Sequence, residues 1–288
     1  MEQPKRIIVT GAGRGIGRAI ALELAAAGHS VALAARSREQ IDAVAAQIAS
    51  GARTGGHARG SGGGGTATGG RAIAIPTDVT DRASVEALVE RVVSEFGGVD
   101  VLVNNAGRFS AIGPTWETDP ESFWGDVTIN VLGPYLLCRA VIPRLIAQGG
   151  GTIVNMIGGG AASPNPYGNA YGTSKAGLTR FTETLSKELV KHRISVFATN
   201  PGLVRTDMTE LQLQTDAGKK WMTHIAKLFE DGVDRPPTDA ARLIRTLVEG
   251  DYFELTGRRF GPDDDPATLL RDAKRIVHDD LRVLRFRE

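Results

Sequence analysis

The sequence of 288 residues is long enough for one large α/β domain, and a domain of this size buries about three quarters of the surface of its unfolded chain. Its 34 basic and 33 acidic residues leave a formal charge of +1, which excludes the strong basic bias of proteins that bind nucleic acid or anionic membranes. One cysteine and five histidines without ligand spacing exclude an intramolecular disulfide and give no support for a metal site. We therefore expect a small-molecule partner, and no nucleic acid, membrane or metal.

The first residues, from Met1 to Arg6, are charged and lead directly into a strand-like run. They lack the apolar stretch and the cleavage site of a signal peptide. No window of the sequence approaches the roughly 20 apolar residues that span a bilayer. Cys138 lies in the apolar run from Val131 to Leu145, and we interpret it as a buried, unreactive thiol. Together these features predict a cytoplasmic protein.

Short apolar runs alternate with longer stretches of helical periodicity along the chain. The predicted strands are Arg6 to Thr10, Ser30 to Ala35, Arg71 to Pro76, Val99 to Val103, Thr152 to Met156 and Ile194 to Thr199. The predicted helices include Arg14 to Ala27, Arg38 to Ala49, Ala83 to Phe96, Glu121 to Gln148 and Tyr171 to His192. Regular alternation of this kind requires right-handed crossovers between parallel strands. The predicted fold class is therefore α/β, a doubly wound parallel sheet with helices on both faces.

Two segments depart from this alternation. Gly51 to Gly70 contains ten glycines in twenty residues, and we interpret it as a mobile loop insertion at the amino edge of the sheet, away from any ligand. After Asp265 and Pro266, helical spacing of apolar residues predicts an amphipathic helix that packs on its own domain or on a subunit interface. We expect residues 1–262 to form one domain and residues 263–288 to form this extension. The apolar residues of the extension are Leu269, Leu270, Ala273, Ile276, Val277, Leu281 and Leu284.

A glycine-rich turn directly follows the first predicted strand and opens the first predicted helix. Such a turn lets the backbone approach a pyrophosphate, while the helix N-terminus offers free N–H groups and partial positive charge. The position of the motif predicts a dinucleotide site on a single Rossmann-type fold. Its predicted cofactor-binding residues are Gly11, Gly13, Arg14, Gly15, Ile16 and Gly17.

The end of the second strand indicates which dinucleotide binds. Sites for NAD usually carry Asp or Glu there, whereas this strand ends in Arg36 and Ser37. Arg36 and Arg14 could together bind a 2′-phosphate, although both could also be ordinary surface arginines. We therefore predict NADP(H) as the cofactor.

The motifs as a set resemble those of the short-chain dehydrogenase/reductase family over about residues 5–210. The resemblance implies that Asp78 and Val79 hold the adenine and that the Asn104-Asn105-Ala106-Gly107 run supports the cofactor side of the sheet. It implies that Asn130 belongs to the catalytic set and supports a water beside Lys175. It also implies that the segment containing Pro201, Gly202, Val204 and Thr206 closes over the nicotinamide amide.

Tyr171 and Lys175 lie four residues apart at the start of a predicted helix, so their side chains share one face. An ammonium beside a phenol favours the phenolate and is expected to lower the tyrosine pKa from about 10. Tyr171 could then exchange a proton with a carbinol or carbonyl oxygen while the nicotinamide exchanges hydride. Lys175 is also expected to hold the nicotinamide ribose.

One residue departs from the family pattern. The family usually places a serine thirteen residues before the tyrosine, and this position holds Gly158. Loss of a comparable oxyanion donor can cost about 100- to 1000-fold in rate. Ser163, Tyr167, a backbone N–H or a water could replace the serine, or Ser163 could be only a loop residue. Two functions follow: an NADP(H)-dependent oxidoreductase acting on a carbonyl or alcohol, or a weakly active or inactive NADP(H)-binding interaction module.

The substrate pocket and the assembly state are less defined by the sequence. We expect an apolar cavity beyond the carboxyl edge of the sheet. The residues that could line it could equally be packed in the ordinary way within the fold. Family members commonly associate through the two long helices, so the resemblance implies a homodimer or homotetramer. The candidate pocket residues are Phe109, Trp116, Met208, Leu211 and Trp221.

Overall fold

A computed structural model describes residues 3–51 and 70–285 of the chain. This part of the chain contains one parallel sheet with the strand order β3-β2-β1-β4-β5-β6-β7, which confirms the predicted fold class. The order reverses between β1 and β4, so the crevice where such folds bind ligands lies at the carboxyl ends of these two strands. Most of the glycine-rich insertion, residues 52–69, lies outside the described residues. The strands are β1 (Arg6–Thr10), β2 (Ser30–Ala35), β3 (Ala72–Pro76), β4 (Val101–Asn104), β5 (Gly151–Met156), β6 (Ile194–Thr199) and β7 (Arg259–Phe260).

Several helices begin at a residue whose side chain caps the first turn. Ser37, Asp81, Asp119 and Asp265 each accept a hydrogen bond from a backbone N–H of the helix that follows. The helices are α1 (Gly15–Ala26), α2 (Arg38–Ala49), α3 (Arg82–Phe96), α4 (Pro120–Val127), α5 (Gly133–Gln148), α6 (Asn169–Leu189), α7 (Asp207–Gln214), α8 (Asp216–Trp221), α9 (Thr223–Glu230), α10 (Pro237–Glu249), α11 (Pro266–Arg271) and α12 (Ala273–His278).

Two apolar clusters cover the two faces of the sheet. One cluster joins Ile20 and Leu24 of α1 to Leu247 of α10 and to side chains of the central strands. The other cluster joins Leu88 of α3 to Leu137 of α5 on the opposite face. The strands are therefore buried from both sides, which explains why they read as continuous apolar runs rather than as alternating ones.

The predicted helix from Glu121 to Gln148 is continuous, but it contains a π-helical segment at Thr128–Leu132 between α4 and α5. Segments of this kind often mark functional positions, and this one contains Asn130. The whole helix, Pro120–Gln148, is long and apolar enough to cross a membrane by length and composition, contrary to the expectation that no window would approach that length. One such helix among the described residues is weak evidence for a membrane span, because the core helices of soluble proteins pass the same test.

The C-terminal extension differs from the single helix that the apolar spacing predicts. It forms two short helices, and α12 ends at His278, so Leu281 and Leu284 lie beyond it. The chain then passes through Asp280 and Arg282, whose φ angles of 51° and 64° are left-handed and incompatible with a continuing helix.

The extension packs on the core of its own chain. Ala273 and Ile276 are 1% and 2% exposed and belong to the same apolar cluster as α1 and α10. The backbone N–H of Arg259 in β7 donates to the carbonyl of Arg282 over 3.0 Å, and the Arg282 guanidinium contacts both carboxylate oxygens of Asp264. The extension therefore covers the outer edge of β7, a tertiary contact that helical spacing cannot reveal.

Candidate active site

The glycine-rich turn lies at the carboxyl end of β1, where the order of the sheet reverses. Gly11 has a left-handed φ of +64°, and a Cβ at Gly17 would overlap the carbonyl oxygen of Gly11. Arg14 precedes α1 without forming a side-chain cap, so no side chain blocks the first N–H groups of this helix. Ile16 is half-buried against the apolar cluster on that face. The turn thus leaves room for a pyrophosphate at an uncapped helix N-terminus, which fits a dinucleotide.

A second turn, after β4, is locked onto the first. The hydroxyl of Thr10 accepts from the backbone N–H groups of Asn105 and Ala106, over 2.9 and 3.0 Å. The Asn105 amide in turn donates to the carbonyl of Thr10 over 2.9 Å. A Cβ at Gly107 would lie 3.2 Å from Asn130 Oδ1 and 3.6 Å from Lys175 Nζ. The structure therefore brings the predicted Asn105 to Gly107 segment together with the glycine turn on one side and with Asn130 and Lys175 on the other.

The predicted adenine side of the crevice lies at the ends of β2 and β3. Arg36 is exposed, and Ser37 caps α2 through a 3.4 Å bond from the backbone N–H of Gln40. Hydrogen bonds from Thr80 lower the pKa of Asp78, and the charge of Arg36 lowers it further. Val79 is 7% exposed and belongs to the apolar cluster that contains Leu88 and Leu137. The structure thus places Arg36 close enough to Asp78 for their charges to interact.

The segment after β6 closes toward the glycine turn. Gly202 has a φ of +77° and its N–H donates to Asn200, and Val204 is buried. Thr206 caps α7, and its methyl group would lie 3.3 Å from a Cβ at Gly15. Pro201, like Gly202, is half-buried in the loop that leads to this cap. Of these predicted residues, the structure thus brings Thr206 beside the glycine turn, whereas a Cβ at Gly202 would meet Arg235 and Pro262.

Tyr171 and Lys175 lie on one face of α6, beside the end of β5. The Lys175 ammonium donates to the carbonyl of Met156 over 2.9 Å and lies 5.5 Å from the centroid of the Tyr171 ring. Burial lowers the pKa of Lys175 to about 8. Burial, followed by the negative charge of Asp126, raises the pKa of Tyr171 to about 12. The sequence predicted a lowered tyrosine pKa, and the structure differs because desolvation of the phenolate outweighs attraction by the ammonium.

Asn130 is fully buried in the π-helical segment, and its side chain is saturated by protein groups. Its amide donates to the carbonyl of Arg108 and to the hydroxyl of Ser174, and its oxygen accepts from the N–H of Arg108. These bonds are 2.8, 2.9 and 2.8 Å long, respectively. Asn130 therefore fixes the backbone at Arg108 beside the site.

Position 158 faces the phenol of Tyr171. A Cβ at Gly158 would overlap the Tyr171 Oη, so any side chain there would point straight at this hydroxyl. Ser163, one candidate replacement for the missing hydroxyl, is exposed in the following loop. Tyr167, the other, has a left-handed φ of 63° and packs on Trp221 with ring centroids 4.6 Å apart. Neither observation supports a substitute donor from these two side chains.

The five candidate pocket residues do not form one cavity. Phe109 is 7% exposed and stacks on Tyr171, while Trp116 is 83% exposed and Leu211 is 48% exposed. Met208 is half-buried in α7, and Trp221 contacts Tyr167 instead. A cavity of about 180 Å³ lies next to the start of α6, bordered by other residues that include Ala111, Phe123, Trp124, Asn169 and Ala170. Of the five predicted residues, Phe109 lies beside Tyr171, and none of the five borders this cavity.

Asp126 is a site residue that the sequence did not reveal. It is fully buried, and its carboxylate accepts from the N–H groups of Ser110 and Ala111 and from the Ser110 hydroxyl. The only signal in the sequence was an acid within an otherwise apolar helical run.

Among the side chains of residues 3–51 and 70–285, no group of three or more His, Cys, Asp or Glu residues could hold a metal ion. Cys138 is buried, and burial raises the pKa of its thiol to about 12.

Comparisons with known proteins identify the family of this chain. A family model described as short chain dehydrogenase matches residues 5–60 and 64–217. A short chain dehydrogenase of Monascus purpureus is 34% identical over 280 residues, which cover 97% of this chain and 87% of that protein. A 3-oxoacyl-[acyl-carrier-protein] reductase of Staphylococcus aureus is 34% identical over 262 residues, which cover 90% of this chain and 96% of that protein.

Solved structures show the same fold. A putative short-chain alcohol dehydrogenase from Sinorhizobium meliloti superposes with a TM-score of 0.76 at 28% identity, over 91% of this chain and 96% of that one. A 3-ketoacyl-(acyl-carrier-protein) reductase from Brucella melitensis, complexed with NADH, superposes with a TM-score of 0.74 at 28% identity, over 89% of this chain and 96% of that one. With a family model covering most of its length, the chain belongs to the short-chain dehydrogenase family of oxidoreductases.

Proposed function

We propose that this protein is an NADP(H)-dependent oxidoreductase that transfers hydride between the nicotinamide and a carbonyl or alcohol substrate, with Tyr171 as the general acid and base. The observation that carries the proposal is the position of Tyr171 and Lys175 beside the end of β5, at the same carboxyl edge of the sheet as the uncapped N-terminus of α1. When bound, the cofactor supplies or accepts the hydride, and every proton must then come from or go to the protein.

At neutral pH the protonation state of Tyr171 suits it to donate a proton, which is its proposed role in the direction of reduction. With a pKa of about 12, Tyr171 is protonated and can donate its proton to a carbonyl oxygen. Lys175, with a pKa of about 8, is mostly an ammonium at pH 7, and its charge 5.5 Å from the ring stabilises the phenolate that remains. Asn130 keeps the backbone of Arg108 in place through two hydrogen bonds.

The preference for NADP(H) is proposed from the end of β2, where a carboxylate would accept from the ribose of NAD. Arg36 stands there instead, and it is exposed and close enough for its charge to lower the pKa of Asp78. Arg14, in the glycine turn, is a second exposed guanidinium, currently paired with Asp207. A dianionic 2′-phosphate is the natural ligand for two such groups.

A second candidate function is a weakly active or inactive NADP(H)-binding module. Gly158 favours it, because the backbone position that faces the phenol carries no hydroxyl. The retained Tyr171 and Lys175 favour the enzyme, because binding alone requires no proton donor.

The test is consumption of NADPH by the purified protein with phenanthrenequinone, ethyl acetoacetate and an acetoacetyl thioester, the last because of the reductase relatives. We expect turnover that falls at least about 1000-fold in Tyr171→Phe, because the proton donor is removed. Tyr167→Phe is the matched control and should retain parental activity. NADH should be used less well than NADPH, and Arg36→Leu should reduce that difference. A parent without turnover on all three compounds, but with tight NADPH binding, would instead support the binding module.

A further inference from the structure

Phe109 and Tyr171 form a stacked pair in the centre of the site. Their ring centroids are 4.5 Å apart and their planes differ by 9°. Phe109 is 7% exposed, so its ring is almost completely enclosed. Its position beside the phenol gives it no hydrogen-bonding role, but a flat contact of this kind restricts where the tyrosine ring can lie.

Two glycines leave the space that this pair occupies. A Cβ at Gly158 would overlap the Tyr171 Oη, and a Cβ at Gly168 would lie 2.5 Å from Phe109 Cζ. Gly168 has a φ of −122°, which any residue can adopt, and Gly158 is not among the residues with positive φ. Space rather than backbone conformation therefore favours glycine at both positions, because a side chain at either one would force the facing ring to shift. The Tyr171 hydroxyl therefore lies against the backbone of Gly158, just after β5, and the Tyr171 ring lies against Phe109.

Anchored residues on both sides hold Phe109 in place. On one side, the backbone of Arg108 is fixed by two 2.8 Å hydrogen bonds with Asn130. On the other, the fully buried carboxylate of Asp126 accepts from the N–H groups of Ser110 and Ala111, over 2.8 and 2.9 Å. The Arg108 guanidinium also approaches Asp126 at 3.2 Å, which compensates the buried charge.

We infer that Phe109 is a positioning residue for Tyr171 and that Asp126 holds Phe109 in place. Stacking on Phe109 orients the phenol, a role that a hydroxyl at position 158 would otherwise have. The inference deepens the proposed function and rests on it, because it concerns Tyr171 as the proton donor. It also explains why position 158 carries no side chain: the phenol of Tyr171 occupies the space. A serine introduced at position 158 is therefore expected to displace Tyr171 rather than to assist it.

The stack itself can be observed without any substrate. The chain contains four tyrosines, so ring signals of labelled tyrosine can be followed by NMR and that of Tyr171 assigned by its loss in Tyr171→Phe. We expect a strong ring-current shift of the Tyr171 signal that disappears in Phe109→Leu and is reduced in Asp126→Asn. Phe253→Leu is the matched control, because Phe253 packs against Arg193 away from the site. A Tyr171 signal unchanged in Phe109→Leu would overturn the inference.

The effect on catalysis is tested by a double-mutant cycle, with the best substrate of the panel above. Misplacement of a reacting group by about 1 Å can cost about 100-fold, so Phe109→Leu should lower kcat by about 10- to 100-fold. The KM for NADPH should stay near its parental value, because Phe109 packs on Tyr171 and beside Gly168 rather than within the glycine turn. Phe253→Leu should leave kcat unchanged.

Gly158→Ser provides the decisive arm of the cycle. While Phe109 holds the ring, the added side chain collides with Tyr171, and kcat should fall. In Phe109→Leu the ring can move away, so adding Gly158→Ser should raise kcat above that of Phe109→Leu alone. Equal effects of Gly158→Ser in both backgrounds would overturn the inference. Activity that survives Tyr171→Phe would instead overturn the proposed function, so the two failures are distinguishable.

Discussion

His29 is a buried histidine in the turn between α1 and β2. It is 4% exposed, and its Nδ1 accepts from the backbone N–H of Lys5 over 3.1 Å. Its Nε2 lies 3.4 Å from a carboxylate oxygen of Glu249. Burial lowers the pKa of this imidazole below 6.5, and the nearby Lys5 and Arg245 lower it further, while Glu249 opposes the change. The folded protein therefore favours the neutral ring.

The sign of the pH dependence follows from this lowered pKa. The unfolded chain binds the proton more readily, so the contribution of His29 to stability is complete above pH 6.5 and is lost as the pH falls through the folded pKa. We expect this residue to reduce the free energy of unfolding by at most about 1.4 kcal/mol per pH unit below pH 6.5. Urea unfolding at pH 7.5 and pH 5.5 measures the effect.

The variant His29→Gln should lose less stability over this interval than the parent does, because its amide does not titrate. His224→Gln, at an exposed position, is the control and should show the parental dependence. An identical fall in stability for the parent and for His29→Gln would contradict the prediction. The comparison cancels the many surface carboxylates that also titrate below neutral pH.

At the scale of the elements, an ion pair connects α7 to the glycine turn. The carboxylate of Asp207, at the first position of α7, contacts the guanidinium of Arg14. Both side chains are well exposed, at 65% and 63%, so the pair contributes little to stability. Its consequence is for binding, because Arg14 must leave Asp207 in order to hold a 2′-phosphate.

Asp207→Asn should therefore tighten NADPH binding, by up to about fivefold, since exposed pairs are worth about 1 kcal/mol at most. The effect should shrink at high salt, which screens such pairs. Glu210→Gln, which removes a similar pair with Arg205 within the same region, should leave the affinity unchanged. Titration of nicotinamide fluorescence measures the Kd. Weaker NADPH binding by Asp207→Asn would mean that the pair holds α7 closed over the cofactor.

The elements that the sequence predicted well are those with strong local signals. β1, β2, β6 and α2 have the predicted boundaries, because their apolar runs or periodic faces are long and are bounded by turn residues or caps. β7 has only two residues and no periodicity, so its place at the edge of the sheet arises from pairing with β6. The C-terminal helix was predicted too long, because its end depends on hydrogen bonds between Arg282 and β7.

The same distinction applies to the site. Tyr171, Lys175 and the glycine turn were predicted because each lies within a local motif whose spacing carries the chemistry. Asp126 and the Phe109 stack depend on contacts between residues that are distant along the chain, so no spacing could reveal them. The tyrosine pKa was predicted in the wrong direction for a related reason. A sequence shows a neighbouring charge four residues away but does not show the degree of burial, which dominates here.

For the whole molecule, the long helix from α4 through α5 leaves an apolar stripe at the surface. Trp124 is 63% exposed, Tyr135 is 47% exposed and Leu132 is 39% exposed. Tyr135 also contacts Phe181 of α6 edge to face, with ring centroids 6.5 Å apart, so the stripe continues onto the second long helix. Contiguous apolar surface of this kind commonly marks an interface. The proposed occupant is the same surface of a second copy, as in a twofold dimer.

Introducing a charge into this stripe should therefore dissociate the assembly. We expect the parent to show a mass in solution of two or four times 30.5 kDa, and Tyr135→Glu to show a monomer at low micromolar concentration. A buried, unpaired carboxylate on both sides of a twofold interface would be too costly to retain. Light scattering coupled to size-exclusion chromatography measures the mass. Val233→Glu, at a 50% exposed apolar residue outside the two helices, is the control and should keep the parental mass. A parent that is already monomeric would contradict the prediction.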